Sequence, residues 1–100
     1  MKEMKTFDEI RNILAEHKEE LKRRYKVKEI GIFGPHVRGE QKEKSGVDIL
    51  VEVEEVIGPL KFMDLERYLS ELISGKVDLV MKTALKPRIG RHILEEVQYI

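Results

Sequence analysis

A glycine-bearing loop and the carboxylate that follows it are the residues with the clearest chemical potential. The loop lies between two apolar runs and carries Gly34, Arg38 and Ser45, and Asp48 opens the second run. A glycine lets the backbone approach a ligand closely, arginine pairs with phosphate oxygens, and carboxylates bind Mg²⁺. This combination indicates a site for a phosphate and its metal. On local chemistry alone, a polar hairpin connection explains the same residues equally well.

A second carboxylate lies inside a short apolar run, Val77–Met81. Burying Asp78 there without a partner is costly. The residues alone therefore allow a structural interpretation, in which Asp78 pairs with a nearby lysine or arginine.

The loop and its flanks resemble the signature of the DNA polymerase beta-like nucleotidyltransferases, in particular the minimal nucleotidyltransferases of MntA-type antitoxins. That signature is Gly-Ser, ten residues and Asp-x-Asp, with Arg-Gly-Glu inside the loop. Gly34, Arg38-Gly39-Glu40, Ser45 and Asp48 match it, Asp48 falling on the second aspartate. The similarity continues through the third strand and Leu85–Arg88 to the end of the chain.

The resemblance implies a function and a set of roles. Gly34, Arg38 and Ser45 are expected to bind the nucleotide. Asp48 and Asp78 are expected to be catalytic and to hold magnesium, Asp78 as a metal ligand or as the general base on the incoming hydroxyl. The substrate would be ATP, a nucleoside triphosphate, and the partner a HEPN-family toxin that receives AMP on a tyrosine; a homo-oligomer is a further expectation.

Two positions depart from the family pattern: Pro35 replaces the serine and Gly46 replaces the first aspartate. Pro35 has neither a hydroxyl nor an N–H, and Gly46 has no carboxylate. We therefore expect weak catalysis, with one nucleotide-bound magnesium retained and the second ion lost, unless Glu40 or Glu43 swings in. The alternative is a binding module that keeps the fold and the partner surface but does no chemistry.

The elements that must position these residues follow from periodicity and from the resemblance. Apolar runs predict strands at Val27–Phe33, Val47–Val53 and Val77–Met81, and helical spacing predicts helices over about 7–24, 60–73 and 88–99. The resemblance implies an α/β (α+β) nucleotidyltransferase fold of order α-β-β-α-β-α, with a small mixed three-stranded sheet. The residues expected inward include Leu60, Met63, Ile89, Ile93, Leu94 and Val97.

Composition excludes several other classes of protein. One hundred residues are expected to form one domain, 1–100, and 19 basic residues balance 19 acidic ones, so no global basic field attracts DNA. The absence of cysteine excludes disulfides and thiolate zinc sites. Neither a signal-peptide core nor a membrane-length apolar run is present, which predicts a cytoplasmic protein without membrane association.

Overall fold

The computed structural model describes residues 5–42 and 45–100 of the chain. Its helices are α1 (Phe7–Glu16), α2 (Lys18–Tyr25), α3 (Pro35–Arg38), α4 (Pro59–Ile73) and α5 (Pro87–Glu96). Its strands are β1 (Val27–Phe33), β2 (Val47–Val53), β3 (Val77–Met81) and β4 (Gln98–Tyr99), and a 3-10 turn spans Lys82–Ala84. None of the described helices is long and apolar enough to cross a membrane.

The sheet is mixed, as expected, but it has four strands in the order β3-β2-β1-β4. β1 is antiparallel to both β2 and β4, and β2 is parallel to β3. The expected count of three was wrong because the chain end was assigned to the last helix. Val97 turns extended (φ −60°, ψ 136°), ending α5 at Glu96. β4 then fits beside Gly31, where a Cβ would lie 2.6 Å from Val97 Cγ2.

The predicted first helix is two helices, because the chain bends at His17 (φ −106°, ψ 10°). The imidazole Nδ1 of His17 lies 2.8 Å from the carbonyl oxygen of Ile13, at the point where α1 ends. The start of α1 is as predicted, with a capping box in which Thr6 and Glu9 satisfy each other's backbone amides.

The two faces of the sheet carry unequal cores. Helices α1, α2 and α4 cover the first face, which includes Ile49 and Val51. The opposite face holds a small cluster of Phe33, Leu50 and Val97, against which α5 packs. Because side chains alternate along a strand, Asp48 points to the same face as Leu50. The candidate site residue Asp48 therefore lies on the thinly covered side.

Several residues expected to point inward are exposed instead. They are Leu60, Met63, Ile89 and Leu94, with exposed fractions of 84%, 62%, 64% and 45%. Ile93 and Val97 do pack inward, as predicted. Because the cluster of Phe33, Leu50 and Val97 is small, it contacts only part of the apolar surface of α5. Ile93 packs against it, whereas Ile89 and Leu94 face solvent.

Candidate functional site

Asp48 and Asp78 lie side by side on neighbouring strands. They are direct partners in the parallel ladder between β2 and β3, so their side chains leave the sheet on the same face. Asp48 is half-buried and Asp78 is exposed. The pKa of Asp48 is raised, first by burial and then by the negative charges of Asp78 and Glu96. The sheet thus holds two carboxylates close together in spite of their repulsion.

This pair fits a magnesium ion that takes only part of its coordination from the protein. Within residues 5–42 and 45–100, no three histidine or acidic side chains lie close enough to hold a metal together. Magnesium is often held by one or two carboxylates, with water and substrate phosphates completing its octahedron. A cation between Asp48 and Asp78 would also relieve the repulsion that raises the Asp48 pKa.

Gly34 holds the loop against Asp48. Its backbone has φ 82° and ψ −158°, a region open essentially to glycine alone. A Cβ on Gly34 would lie 2.1 Å from Asp48 Oδ2. Both the backbone conformation and the short distance to Asp48 therefore require glycine at position 34. Glycine is what allows the loop backbone to lie directly against the Asp48 carboxylate.

Gly34 and Arg38 meet around a carboxylate that the sequence did not predict, that of Glu96 at the end of α5. The Gly34 amide donates to Glu96 Oε2 at 2.9 Å, and Arg38 Nη1 donates to Glu96 Oε1. Burial raises the pKa of Glu96, but these two donors outweigh it and hold the pKa below its usual value. One signal was available: Glu95 and Glu96 end a helix, where the dipole disfavours negative charge.

Ser45 and Glu40, two further residues of the loop that the structure describes, have partners within the loop. Ser45 Oγ accepts from the Lys42 amide at 3.0 Å, and the Ser45 amide donates to the Lys42 carbonyl at 2.9 Å. The described contacts of Ser45 therefore join it to Lys42 and not to Gly34 or Arg38. Glu40 accepts from Arg38 Nε at 2.6 Å, so its carboxylate already has a partner within the loop. Glu43 lies outside the described residues.

The two positions that depart from the family pattern, Pro35 and Gly46, lie next to Gly34 and Asp78 respectively. A Cβ on Gly46 would lie 2.6 Å from Asp78 Oδ2 and 3.4 Å from Lys76 Cδ. A side chain at position 46 would thus point at Asp78, as two carboxylates sharing one cation require. Pro35 is the first residue of α3 and directly follows Gly34, so it removes one N–H from the part of the loop that faces Asp48.

An open groove of about 660 Å³ begins at Asp78 and runs along α4. The exposed side chains of Leu60 and Met63 line it, together with Arg67 and Lys76. Asp78 is itself exposed to solvent, in contrast with Asp48, which is half-buried beside Gly34.

Comparisons with known proteins show which family the chain resembles over most of its length. The family model described as "Nucleotidyltransferase domain" matches residues 14–100. The protein adenylyltransferase MntA of Thermococcus cleftensis is 54% identical over 97 residues, which cover 97% of this chain and 98% of that protein. A solved structure named provisionally as a minimal nucleotidyltransferase superposes with a TM-score of 0.73 at 30% identity, covering 89% of this chain and 93% of that one.

A third comparison extends to a complex. The solved structure of a tri-AMPylated Shewanella oneidensis HEPN toxin with its MNT antitoxin contains a chain that matches with a TM-score of 0.67 at 15% identity. The match covers 90% of this chain and 70% of that one. At this identity the likeness shows a shared fold.

Proposed function

The chain belongs to the nucleotidyltransferase domain family, and on that premise we propose that it transfers AMP from ATP to a tyrosine of a HEPN-family toxin. The observation that carries the proposal is the pair Asp48 and Asp78 on one face of the sheet, beside the Gly34 turn. Two relatives support it: one is named as a protein adenylyltransferase, and another comes from a complex with an AMPylated HEPN toxin.

Four of the five predicted site residues, Asp48, Asp78, Gly34 and Arg38, have positions that support the roles proposed for them. Asp48 and Asp78 would hold the magnesium that neutralises charge on the triphosphate. The Gly34 amide and the Arg38 guanidinium are donors of the kind that bind phosphate oxygens. Asp78 is exposed, so it is the carboxylate that an acceptor hydroxyl can reach, with Asp78 acting as a metal ligand or as the general base. Ser45 remains a predicted nucleotide contact.

The proposed activity is weak because the site is incomplete. Removing an outer-shell partner of a metal site typically costs about 10–100-fold, and removing one transition-state donor roughly 100- to 1,000-fold. Gly46 lacks a carboxylate at the position that points at Asp78, and Pro35 lacks an amide and a hydroxyl next to Gly34. We expect a single nucleotide-bound magnesium, with the second ion lost.

A second candidate is a binding module that neutralises the toxin by contact alone. The contact between Glu96 and the donors of Gly34 and Arg38 favours it, because those donors are the ones a phosphate would need. In either case we propose a cytoplasmic protein without direct DNA binding, since 19 basic residues balance 19 acidic ones. A homo-oligomer also stays a prediction.

Transfer of label from radioactive ATP to the HEPN partner tests the proposal. The chain as it stands should label the partner slowly in the presence of magnesium. The double variant Gly46→Asp/Pro35→Ser should do so at least about 100-fold faster. The Asp78 side chain must rotate to admit the new carboxylate, and as the end of an exposed side chain it is free to do so.

Gly58 and Pro59 offer a control with the same residue types as Gly46 and Pro35. They are adjacent at the start of α4, and a Cβ on Gly58 would meet nothing within 4 Å. The double variant Gly58→Asp/Pro59→Ser should leave the rate unchanged. If neither the original chain nor the Gly46/Pro35 variant labels a partner that it binds, the transferase is excluded and the binding module stands. Equal rates for the two chains would contradict the expected impairment.

A further inference from the structure

We infer that the carboxylate of Glu96 is an internal competitor of the triphosphate: it occupies the donors of Gly34 and Arg38 and must leave before a phosphate group can bind them. The inference rests on the proposed function only for naming the anion as a triphosphate. Its basis is a two-point contact in which Glu96 Oε2 accepts from the Gly34 amide at 2.9 Å and Oε1 accepts from Arg38 Nη1.

The contact has the chemistry of phosphate recognition. A backbone N–H and a guanidinium that hold two oxygens of one anion are the arrangement by which proteins bind phosphate. The carboxylate supplies those two oxygens from within the chain. The Glu96 carboxylate is also close enough to Asp48 to repel it and so to help raise the Asp48 pKa. Its favourable contacts are therefore with the Gly34 amide and Arg38, and not with Asp48.

The fold brings Glu96 to the loop and keeps it there. Glu96 is the last residue of α5. The chain after it enters β4, which pairs with Gly31 and Ile32 of β1, just before Gly34. Its side chain is 22% exposed, whereas that of Arg38 is 48% exposed. The backbone of Glu96 is therefore fixed beside the loop, so an exchange of partners requires only that the Glu96 side chain turn away and that the more exposed Arg38 side chain move to the phosphate.

Competition and simple loop support make opposite predictions. If Glu96 only holds the loop in shape, its removal weakens anion binding. If it competes, its removal frees the two donors and tightens binding. Hydrogen bonds to charged groups are among the stronger ones, so freeing the Gly34 and Arg38 donors should tighten anion binding by about tenfold. The same gain is expected for any anion with phosphate oxygens, whether or not it carries a nucleobase.

The test measures binding of inorganic tripolyphosphate, and separately of ATP with magnesium, by calorimetry. We expect Glu96→Gln, which keeps the size and one acceptor oxygen but loses the charge, to bind tripolyphosphate about tenfold more tightly than the original chain. Glu96→Ala should bind at least as tightly. Glu95→Gln is the matched control, because Glu95 is exposed on the same turn of α5 and lines a different groove; its affinity should be unchanged.

A second measurement uses the unaltered chain and so does not depend on a variant that folds. Titration with tripolyphosphate should shift the Gly34 amide and the Glu96 side-chain carboxyl resonances together, as one anion replaces the other. Unchanged or weaker binding by Glu96→Gln, or a bound triphosphate with an unmoved Glu96 resonance, overturns the inference. If Glu96→Gln binds tripolyphosphate more tightly but no variant labels the HEPN partner, the inference about Glu96 is supported and the proposed transferase activity is excluded.

Discussion

The chain begins two helices with the same dipeptide, Gly34–Pro35 and Gly58–Pro59, and the structure uses them differently. In both, glycine precedes the helix and proline is its first residue. An N–H at this position has no partner within the helix, so proline there costs the helix no hydrogen bond. Gly58 is extended (φ −77°, ψ 174°), and its surroundings are open. Gly34 has φ 82° and would place a Cβ 2.1 Å from Asp48 Oδ2.

The difference separates a helix start that supports the fold from one that lies at the candidate site. Gly58–Pro59 opens the 15-residue helix α4, whose Leu65 and Leu69 are fully buried in the main core. Gly34–Pro35 opens a helix of four residues. The backbone there adopts a conformation that few residues accept, and its amide faces Glu96. The site loop is held in place by its surroundings and not by its own helical propensity.

The largest expected effect separates the two glycines directly. Gly34→Ser should lower the free energy of unfolding by at least about 2 kcal/mol, because it adds backbone strain of roughly 1–3 kcal/mol to the clash with Asp48. Gly58→Ser should raise it by about 0.5 kcal/mol, since its backbone is acceptable to serine, which loses less chain entropy than glycine and can cap the helix. Urea denaturation of both variants measures the difference.

The double variant Gly34→Ser/Asp48→Ala divides the first effect into its two causes. Removal of the Asp48 carboxylate should recover the part due to the clash and leave the part due to backbone strain. A Gly34→Ser chain as stable as the original would show that the loop relaxes freely, and the distinction between the two helix starts would be wrong.

The next effect concerns the carboxylates near the two helix starts, Asp48 and Asp64. Asp48 lies beside repelling charges, with a raised pKa. Asp64 accepts hydrogen bonds from Tyr25 and Arg67, each at 2.8 Å, and the Tyr25 bond is the main reason that its pKa is lowered. At neutral pH, Asp48→Asn should therefore raise the free energy of unfolding by less than about 1 kcal/mol, because solvent screens the partly exposed carboxylate, whereas Asp64→Asn should lower it.

The pH dependence of the two variants should also have opposite signs. Where the folded pKa is raised, as for Asp48, stability is present below the unfolded pKa and is lost as pH rises through the folded pKa. Where it is lowered, as for Asp64, stability is present above the unfolded pKa and is lost as pH falls through the folded pKa. Unfolding curves between about pH 3 and 7, compared with the original chain, measure both. A destabilised Asp48→Asn chain would contradict the picture of a carboxylate held against repulsion.

The sequence predicted the elements with strong local patterns. The strands Val27–Phe33, Val47–Val53 and Val77–Met81 are as predicted, and so is the capping box at Thr6. The resemblance led to Asp48 and Asp78, and the parallel register brings them together. Their catalytic and metal-binding roles stay predictions, as do those of Gly34, Arg38 and Ser45 toward the nucleotide.

Features that depend on distant partners were missed. The bend at His17 is not marked by a glycine or proline, and β4 forms only because Gly31, 67 residues earlier than Gln98, leaves room beside β1. Glu96 reaches Gly34 across 62 positions, which no local period can show. Its place at the negative end of a helix was the one available sign, and it pointed to an unusual partner without identifying it.

The smallest expected effect tests how α4 is secured to the fold. The buried Tyr25 hydroxyl donates to Asp64 Oδ2 at 2.8 Å, and burial, followed by this bond, raises the pKa of Tyr25 to about 12. Its stability contribution is thus present below the ordinary tyrosine value and is lost as pH rises toward about 12. At neutral pH, Tyr25→Phe should lower the free energy of unfolding by only about 0.5 kcal/mol, because Asp64 keeps Arg67.

Thermal unfolding as a function of alkaline pH measures this contribution. The original chain should lose stability above about pH 10, and Tyr25→Phe should lose less, because it has no hydroxyl to ionise. Tyr99→Phe, which alters an exposed side chain on β4, is the control and should follow the original curve. If Tyr25→Phe also follows the curve of the original chain, the Tyr25–Asp64 hydrogen bond does not hold α4 in place. The position of α4 would then depend on the burial of Leu65 and Leu69 alone.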